Sequence, residues 1–267
     1  MRTSPLPGGC IASVYRADLP DGRAVVAKVA GPGGTLDIEA FMLRYLREHS
    51  GLPVPDVLHA EPGLLILAHV PGESRFPPAA EEHAADLLAS LHGVTWTHFG
   101  LERDTLIGSL PQRNTPTRSW IEFFREHRLL AMARAAREAG RLGQRVEDRI
   151  RKLADTLADF LVEPERPSLI HGDVWTTNVL AVGDRITAFL DPAISYADPE
   201  IELAFITLFS TFGRSFFERY QQRRPIRAGF FETRRHLYNL YPLLVHVRLF
   251  GGSYAADVER TVTVLGF

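Results

Sequence analysis

The first seventy residues read mainly as short apolar strands between turn signals, broken once by a helical period. Residues 12–17 and 23–30 are predicted strands, and Leu19-Pro20-Asp21-Gly22 between them is a turn signal that makes a hairpin. From residue 36 to about 49 the apolar positions Leu36, Met42, Leu43 and Leu46 repeat as one face of a helix. Residues 54–60 and 64–70 return to short strands. Pro71-Gly72-Glu73-Ser74-Arg75-Phe76-Pro77-Pro78 is rich in breakers and sets a boundary between a lobe at 1–70 and another at 71–267. Beyond it the chain reads as helices over 79–92, 118–138, 144–161, 199–212, 228–249 and 253–265, interrupted by one polar loop with short flanking strands. The expected class is α+β, with a small β-rich lobe before a larger, mainly helical one. No repeat or low-complexity block is evident.

Composition narrows this picture mostly by exclusion. Of 267 residues 45% are apolar and 23% charged, the balance of an ordinary globular protein with ample core. A formal net charge of −2 gives no electrostatic footprint for nucleic acid or an anionic membrane surface. No apolar run approaches the roughly 18–20 residues of a membrane span, and the N-terminus has no signal-peptide core. Cys10 is the single cysteine, so an intrachain disulfide is ruled out. Together these absences lead to an expectation of a cytoplasmic protein.

The candidate chemistry lies in the polar loop, His171-Gly172-Asp173-Val174-Trp175-Thr176-Thr177-Asn178, and in Asp191 after the strand-like Ile186-Thr187-Ala188-Phe189-Leu190. An acid, an amide four intervening residues later and a second acid beyond a short hairpin have the spacing of a kinase catalytic loop. There the first Asp accepts the proton of the attacking hydroxyl, and the Asn and second Asp hold Mg²⁺ against nucleotide phosphates. The residue types suit that chemistry, because Mg²⁺ takes hard oxygen ligands and an alcohol loses its proton as it attacks. A β-rich lobe ahead of a helical one is also the kinase order.

Lys28 sits in Ala24-Val25-Val26-Ala27-Lys28-Val29-Ala30, apolar on both faces, where a lysine either snorkels at an edge or is held by an anion. Glu39 lies along the apolar face of the predicted helix and needs a cationic partner. A Lys–Glu pair of this kind positions the lysine on nucleotide phosphates; a purely structural bridge is the alternative. Gly8, Gly9 and Cys10 precede the hairpin and could fold over phosphates through backbone N–H groups, or simply form a turn. Neither a P-loop nor a dinucleotide-binding glycine motif is present. Ala68, His69 and Val70 end a strand at the lobe boundary, where a hinge would offer backbone groups to adenine. Trp175 could stack on a sugar or pack in the core. Glu202 is expected to buttress the loop, and His236 and His246 to be packing or surface residues. An exposed Cys10 could join two chains as a homodimer.

On these residues the chain resembles the fructosamine kinases (ketosamine-3-kinases), within the wider aminoglycoside phosphotransferase and choline kinase group. The resemblance is carried by Gly8-Gly9-Cys10-Ile11, Lys28, Glu39, the 171–178 loop, and the run from Asp191-Pro192-Ala193 through Tyr196 to Glu200-Ile201-Glu202-Leu203-Ala204. It continues into Leu237-Tyr238-Asn239-Leu240-Tyr241-Pro242-Leu243-Leu244 and Phe250-Gly251-Gly252-Ser253-Tyr254. It implies a two-lobed protein-kinase-like fold, ATP and Mg²⁺ as cofactors, and transfer of the γ-phosphoryl to the 3-hydroxyl of a free or protein-bound ketosamine. By position, Asp173 matches the family's base, Asn178 and Asp191 its metal ligands, and Lys28 with Glu39 its phosphate-positioning pair. Two departures stand out. The chain begins almost at the glycine loop, where relatives usually carry a further helix, so part of the nucleotide lobe is expected to be trimmed. Thr177 stands where the family commonly has glycine, and its Cβ narrows the backbone's freedom. Phosphorylation of an aminoglycoside or amino alcohol stays open, as does a nucleotide-binding module with little turnover. Retention of all five polar positions argues against the last.

Overall fold

The computed structural model describes residues 2–6 and 12–267. Gly8, Gly9 and Cys10, expected over the phosphates, lie outside the described residues, as does any pairing through Cys10.

Among the described residues the N-terminal part is one antiparallel sheet with a helix on it. Its strands are β1 (Arg2–Pro5), β2 (Ser13–Asp18), β3 (Ala24–Val29), β4 (Val57–Glu61) and β5 (Leu64–Ala68), in the order β1-β2-β3-β5-β4. The β2–β3 hairpin turns at Leu19–Gly22, with Gly22 at φ +85°, as the Pro-Asp-Gly signal requires. Strand β1 goes beyond the predicted elements; its four residues are all exposed, so no apolar alternation marks it. The helix α1 (Leu36–His49) has the expected limits. Asp37 and Glu39 in its first turn and Arg47 and His49 in its last suit the helix dipole. Ser50 closes it, donating from both N–H and Oγ to the Leu46 carbonyl. Leu36, Ala40, Met42, Leu43 and Leu46 bury its inner face.

The C-terminal part departs from the periodicity in instructive ways. The predicted helix over 118–138 is α-helical at Trp120–Phe123, widens to a π-helical segment at Phe124–Leu130, and resumes at Ala131–Glu138. The helix predicted over 144–161 stops at Ala154; a single 3₁₀ turn, Leu157–Asp159, follows. The helix at Arg214–Arg223 has no counterpart in the predicted elements. It is strongly charged, and Phe216 and Tyr220 bury its one apolar stripe, with the helix packed on Pro78–Leu91. A hairpin of Thr105–Ile107 with Leu110–Gln112 is too short for the pattern to reveal. The helix Arg235–Phe250 runs through the core between Glu200–Leu208 and Ser253–Val264. No helix among the described residues is long and apolar enough to cross a membrane.

Two short ladders set the polar loop in place. Ser168–Ile170 pairs antiparallel with Ser195–Ala197, bringing both ends of the 171–194 segment together. Within that segment Val179–Val182 pairs with Arg185–Phe189. Phe189 N–H donates to the Pro53 carbonyl at 2.8 Å, tying this hairpin to the chain below α1.

Candidate active site

Lys28 stands on β3, paired with Val14 on one side and Leu65 on the other, and its ammonium leaves the sheet toward α1. Nζ donates to Glu39 Oε1 at 2.7 Å and also to Asp191. The Lys28 and Glu39 side chains are only 11% and 15% exposed, so either charge alone would be costly to bury, by several kcal/mol. Burial pulls the Lys28 ammonium down, but the Asp191 and Glu39 carboxylates outweigh it and hold its pKa up. Burial pushes the Glu39 carboxyl up, with Lys28 opposing.

Asp191 is one of two described non-glycine residues with positive φ, at +52°. That conformation costs a residue with a Cβ about 1–3 kcal/mol. It is imposed from both sides: Leu190 N–H donates to the Asn178 carbonyl and Ala193 N–H to the His171 carbonyl, each at 2.8 Å. These bonds make the 171–178 loop and the 190–193 turn one unit. Gly172, at φ +86°, is part of the same lock, because a Cβ there would overlap the Ala193 carbonyl.

Asp173 faces Asn178 inside this unit. Asn178 Nδ2 donates to Asp173 Oδ2 at 2.9 Å and to its backbone carbonyl at 3.1 Å. With both N–H directions turned inward, the amide's oxygen is left for another ligand. Burial, then the Asp191 charge, pushes the Asp173 carboxyl up to about 8, with Asn178 opposing. His171 is fully buried and accepts from Asp173 N–H on Nδ1 at 3.3 Å. Its burial lowers the pKa and keeps the imidazole neutral, so this histidine braces the loop.

Glu202 is the expected buttress. It accepts from Gly172 N–H at 2.6 Å, His171 N–H at 3.3 Å and His92 Nε2 at 2.8 Å. His92 Nδ1 in turn meets the Tyr220 hydroxyl at 2.6 Å. A carboxylate only accepts, so His92 donates from Nε2. Burial would raise Glu202, but the hydrogen bond from His92 and its other donors hold it below the usual carboxylate range.

Lys28, Glu39, Asp173, Asn178 and Asp191 all line one cavity of about 1050 Å³. His69 and Val70 line it too, at the end of β5. Ala68 does not: its N–H is given to the Asp56 carbonyl at 2.8 Å, while His69 N–H is given to Ala24 at 3.2 Å. Trp175 borders the cavity and packs at 5.8 Å from Phe209, whose ring is 5.2 Å from His246. His246, expected to be a packing or surface residue, is therefore part of the wall. Its Nδ1 donates to the Pro242 carbonyl at 2.7 Å, four residues back, a spacing present in the sequence but not distinctive there. The 105–112 hairpin closes the same side with Ser109 and Gln112, and Arg128 and Tyr241 complete it. Ser109, Gln112 and Arg128 are marked by no motif, whereas Tyr241 lies in the 237–244 run that carries the family resemblance. Thr177 is exposed at the cavity edge, and its turn, Thr176–Asn178, forms with its Cβ in place.

A five-strand sheet with one ion-paired helix, joined to a helical body that presents an acid, an amide and a second acid to the cleft, defines a kinase-like phosphotransferase. Solved structures share that fold. A thermostable mutant of the aminoglycoside phosphotransferase APH(4)-Ia, bound to AMP-PNP and hygromycin B, has a TM-score of 0.69 at 19% identity over 99% of this chain and 94% of that one. A Thermobifida fusca structure named provisionally as a fructosamine-3-kinase reaches 0.89 at 32% identity, covering 99% of this chain and 93% of its own. The sequence profile described as fructosamine kinase matches residues 2–265, and the chain belongs to that family. A Synechocystis protein named "Probable ketoamine kinase" is 38% identical over 65% of this chain, although the match spans only 58% of that relative. A Vibrio parahaemolyticus protein of the same name is 32% identical over 85% of this chain and 78% of its own length. The chloroplastic protein-ribulosamine 3-kinase of Arabidopsis thaliana is 36% identical over 66% of this chain and 54% of itself.

Proposed function

We propose that this chain is an ATP-dependent ketosamine 3-kinase, transferring the γ-phosphoryl group to the 3-hydroxyl of a sugar joined to an amine by glycation. The observation that carries this reading is the convergence of Lys28, Glu39, Asp173, Asn178 and Asp191 on one cavity in a chain of the fructosamine kinase family. The residues 1–70 act as the nucleotide lobe and 71–267 as the body that holds the acceptor. Lys28, oriented by Glu39, contacts the nucleotide phosphates, and the backbone at His69 and Val70 borders the base. Asp173 receives the proton of the acceptor hydroxyl as its oxygen bonds to phosphorus and the bond to the ADP leaving group breaks. Trp175 contributes a face for the sugar.

Asn178 and Asp191 are the residues that would hold Mg²⁺. Their donor set, one amide oxygen and one carboxylate, suits a hard cation that also takes phosphate oxygens, and among the described residues no larger cluster of acidic, histidine or cysteine side chains competes for it. When bound, the ion neutralises charge on the phosphate oxygens. The test is ATP consumption across ribulosamines, fructosamines, aminoglycosides and amino alcohols, with the phosphorylated position determined. The reading requires a ketosamine to be the preferred acceptor and its O3 to carry the phosphate. Preference for an aminoglycoside, or phosphate at another oxygen, would overturn it.

A further inference from the structure

Arg128 is a cation sealed into the wall of the acceptor side with no carboxylate to balance it. Its residue is only 2% exposed, yet it lines the cavity. Three of its five N–H donors are used, and only by neutral oxygens: the Arg113 carbonyl at 2.6 Å, the His127 carbonyl at 3.2 Å and Asn114 Oδ1 at 2.8 Å. The guanidinium also lies 4.6 Å from the Phe123 ring and 5.5 Å from the Tyr241 ring. Among the described residues no acid comes within ion-pair distance; Asp104, the nearest in effect, accepts from Asn114 N–H. Burial accordingly pulls the Arg128 pKa down.

Rings and carbonyls offset part of the cost of burying such a charge, which otherwise amounts to several kcal/mol. Two donors remain for something the protein does not supply. A buried arginine also offers a fixed, planar fork suited to a carboxylate or phosphate. The backbone at this point is unusual as well, since Arg128 is borne by the π-helical segment Phe124–Leu130, and such widened turns recur at functional sites. Tyr241 locates the cation relative to the chemistry. Its ring lies 5.5 Å from the guanidinium, and it lines the same cavity as Asp173.

We infer that Arg128 is a specificity-determining residue that binds an anionic group on the acceptor whose hydroxyl Asp173 serves. This rests on the ketosamine kinase reading above. The anion has two chemical sources: a carboxylate on the amine component, as in an adduct of an amino acid, or a phosphate on the terminal carbon of the sugar.

The test compares kcat/KM for three matched ribulosamines on the intact enzyme: the adduct of an amino acid amide, the adduct of the free amino acid, and the amide adduct bearing a terminal sugar phosphate. One anionic acceptor should exceed the neutral one by about ten- to a hundredfold, as expected for a charge-assisted hydrogen bond, and which one does so identifies the source. In Arg128→Met that ratio should fall to near one, with the KM for ATP little changed, and Arg128→Lys should restore part of it. A structural role would lower stability or kcat for all three acceptors alike and leave the ratio intact. Turnover of the neutral acceptor with no advantage for either anion overturns the anion subsite and leaves the kinase reading standing. Failure to phosphorylate any of the three overturns both. The wild-type comparison decides the matter even where a variant does not fold.

Discussion

Gly172 and Ala193 interlock the two halves of the catalytic unit: the glycine's φ of +86° puts its missing Cβ where the Ala193 carbonyl oxygen sits. The contact lets the His171 carbonyl receive Ala193 N–H at 2.8 Å, and so fixes Asp173 relative to Asp191. Gly172→Ala should therefore suffer twice, from a left-handed backbone and from overlap with a carbonyl that is itself tied down. We expect a loss of about 2 kcal/mol or more in thermal or urea unfolding, and more than Gly108→Ala produces, since Gly108 also has a positive φ, +57°, but a Cβ there meets only the end of the Leu249 side chain. A Gly172→Ala enzyme with wild-type stability and turnover would show that the two loops are not coupled through this contact.

Lys28 and Glu39 share one bond at 2.7 Å and should behave as one functional unit. Lys28→Ala and Glu39→Ala should each depress kcat/KM for ATP, and the double variant should be little worse than either alone. Additive losses in that cycle would assign the two residues separate roles.

Acid sensitivity should draw on Glu200 as well as on the likewise depressed Glu202. Burial favours the neutral form of Glu200, but Arg234, at 2.6 and 3.0 Å, and Arg227, at 3.1 Å, prevail and depress its pKa below the ordinary 4.5. A carboxyl depressed in the folded state adds stability that is full above the unfolded pKa and is lost as pH falls through the folded one. Asp198, which shares Arg227, is pushed up by its own burial and so contributes no acid loss of this kind. Glu200→Gln should cost about 3 kcal/mol or more at pH 7, as expected when one partner leaves a buried ion pair. Its deficit against wild type should shrink below about pH 4.5. Parallel stability curves from pH 7 to pH 3 would remove Glu200 from this role.

The parts legible in the sequence are those whose causes are local. Helix α1 can be bounded because its apolar period, its acidic start and its basic end all fall within Leu36–His49. The spacing of Asp173, Asn178 and Asp191 likewise carries its chemistry in one short stretch. Glu39 is legible as a carboxylate on an apolar face, and the lysine it needs is eleven residues away. What escapes depends on distant partners. The helix Arg214–Arg223 exists because Phe216 and Tyr220 find the Pro78–Leu91 helix, and nothing in its charged sequence announces that. His92 reaches Glu202 across 110 residues, and Tyr241 reaches Gln112 across 129. The widening of the helix at Phe124–Leu130 leaves no trace in an apolar period, so Arg128 reads as one more surface arginine. At the strand end, Ala68 and His69 both give their N–H to neighbouring carbonyls, of Asp56 and Ala24, bonds that no local pattern announces.

The most direct measurement is Asp173→Asn assayed for both Mg·ATP binding and phosphorylation of the preferred ketosamine. Asn keeps the shape and the contact with Asn178 but cannot accept the proton. The account predicts ATP affinity close to wild type and turnover lower by about 10²-fold or more. Turnover at the wild-type rate would contradict it, because Asp173 would then not be the base on which the proposed chemistry depends.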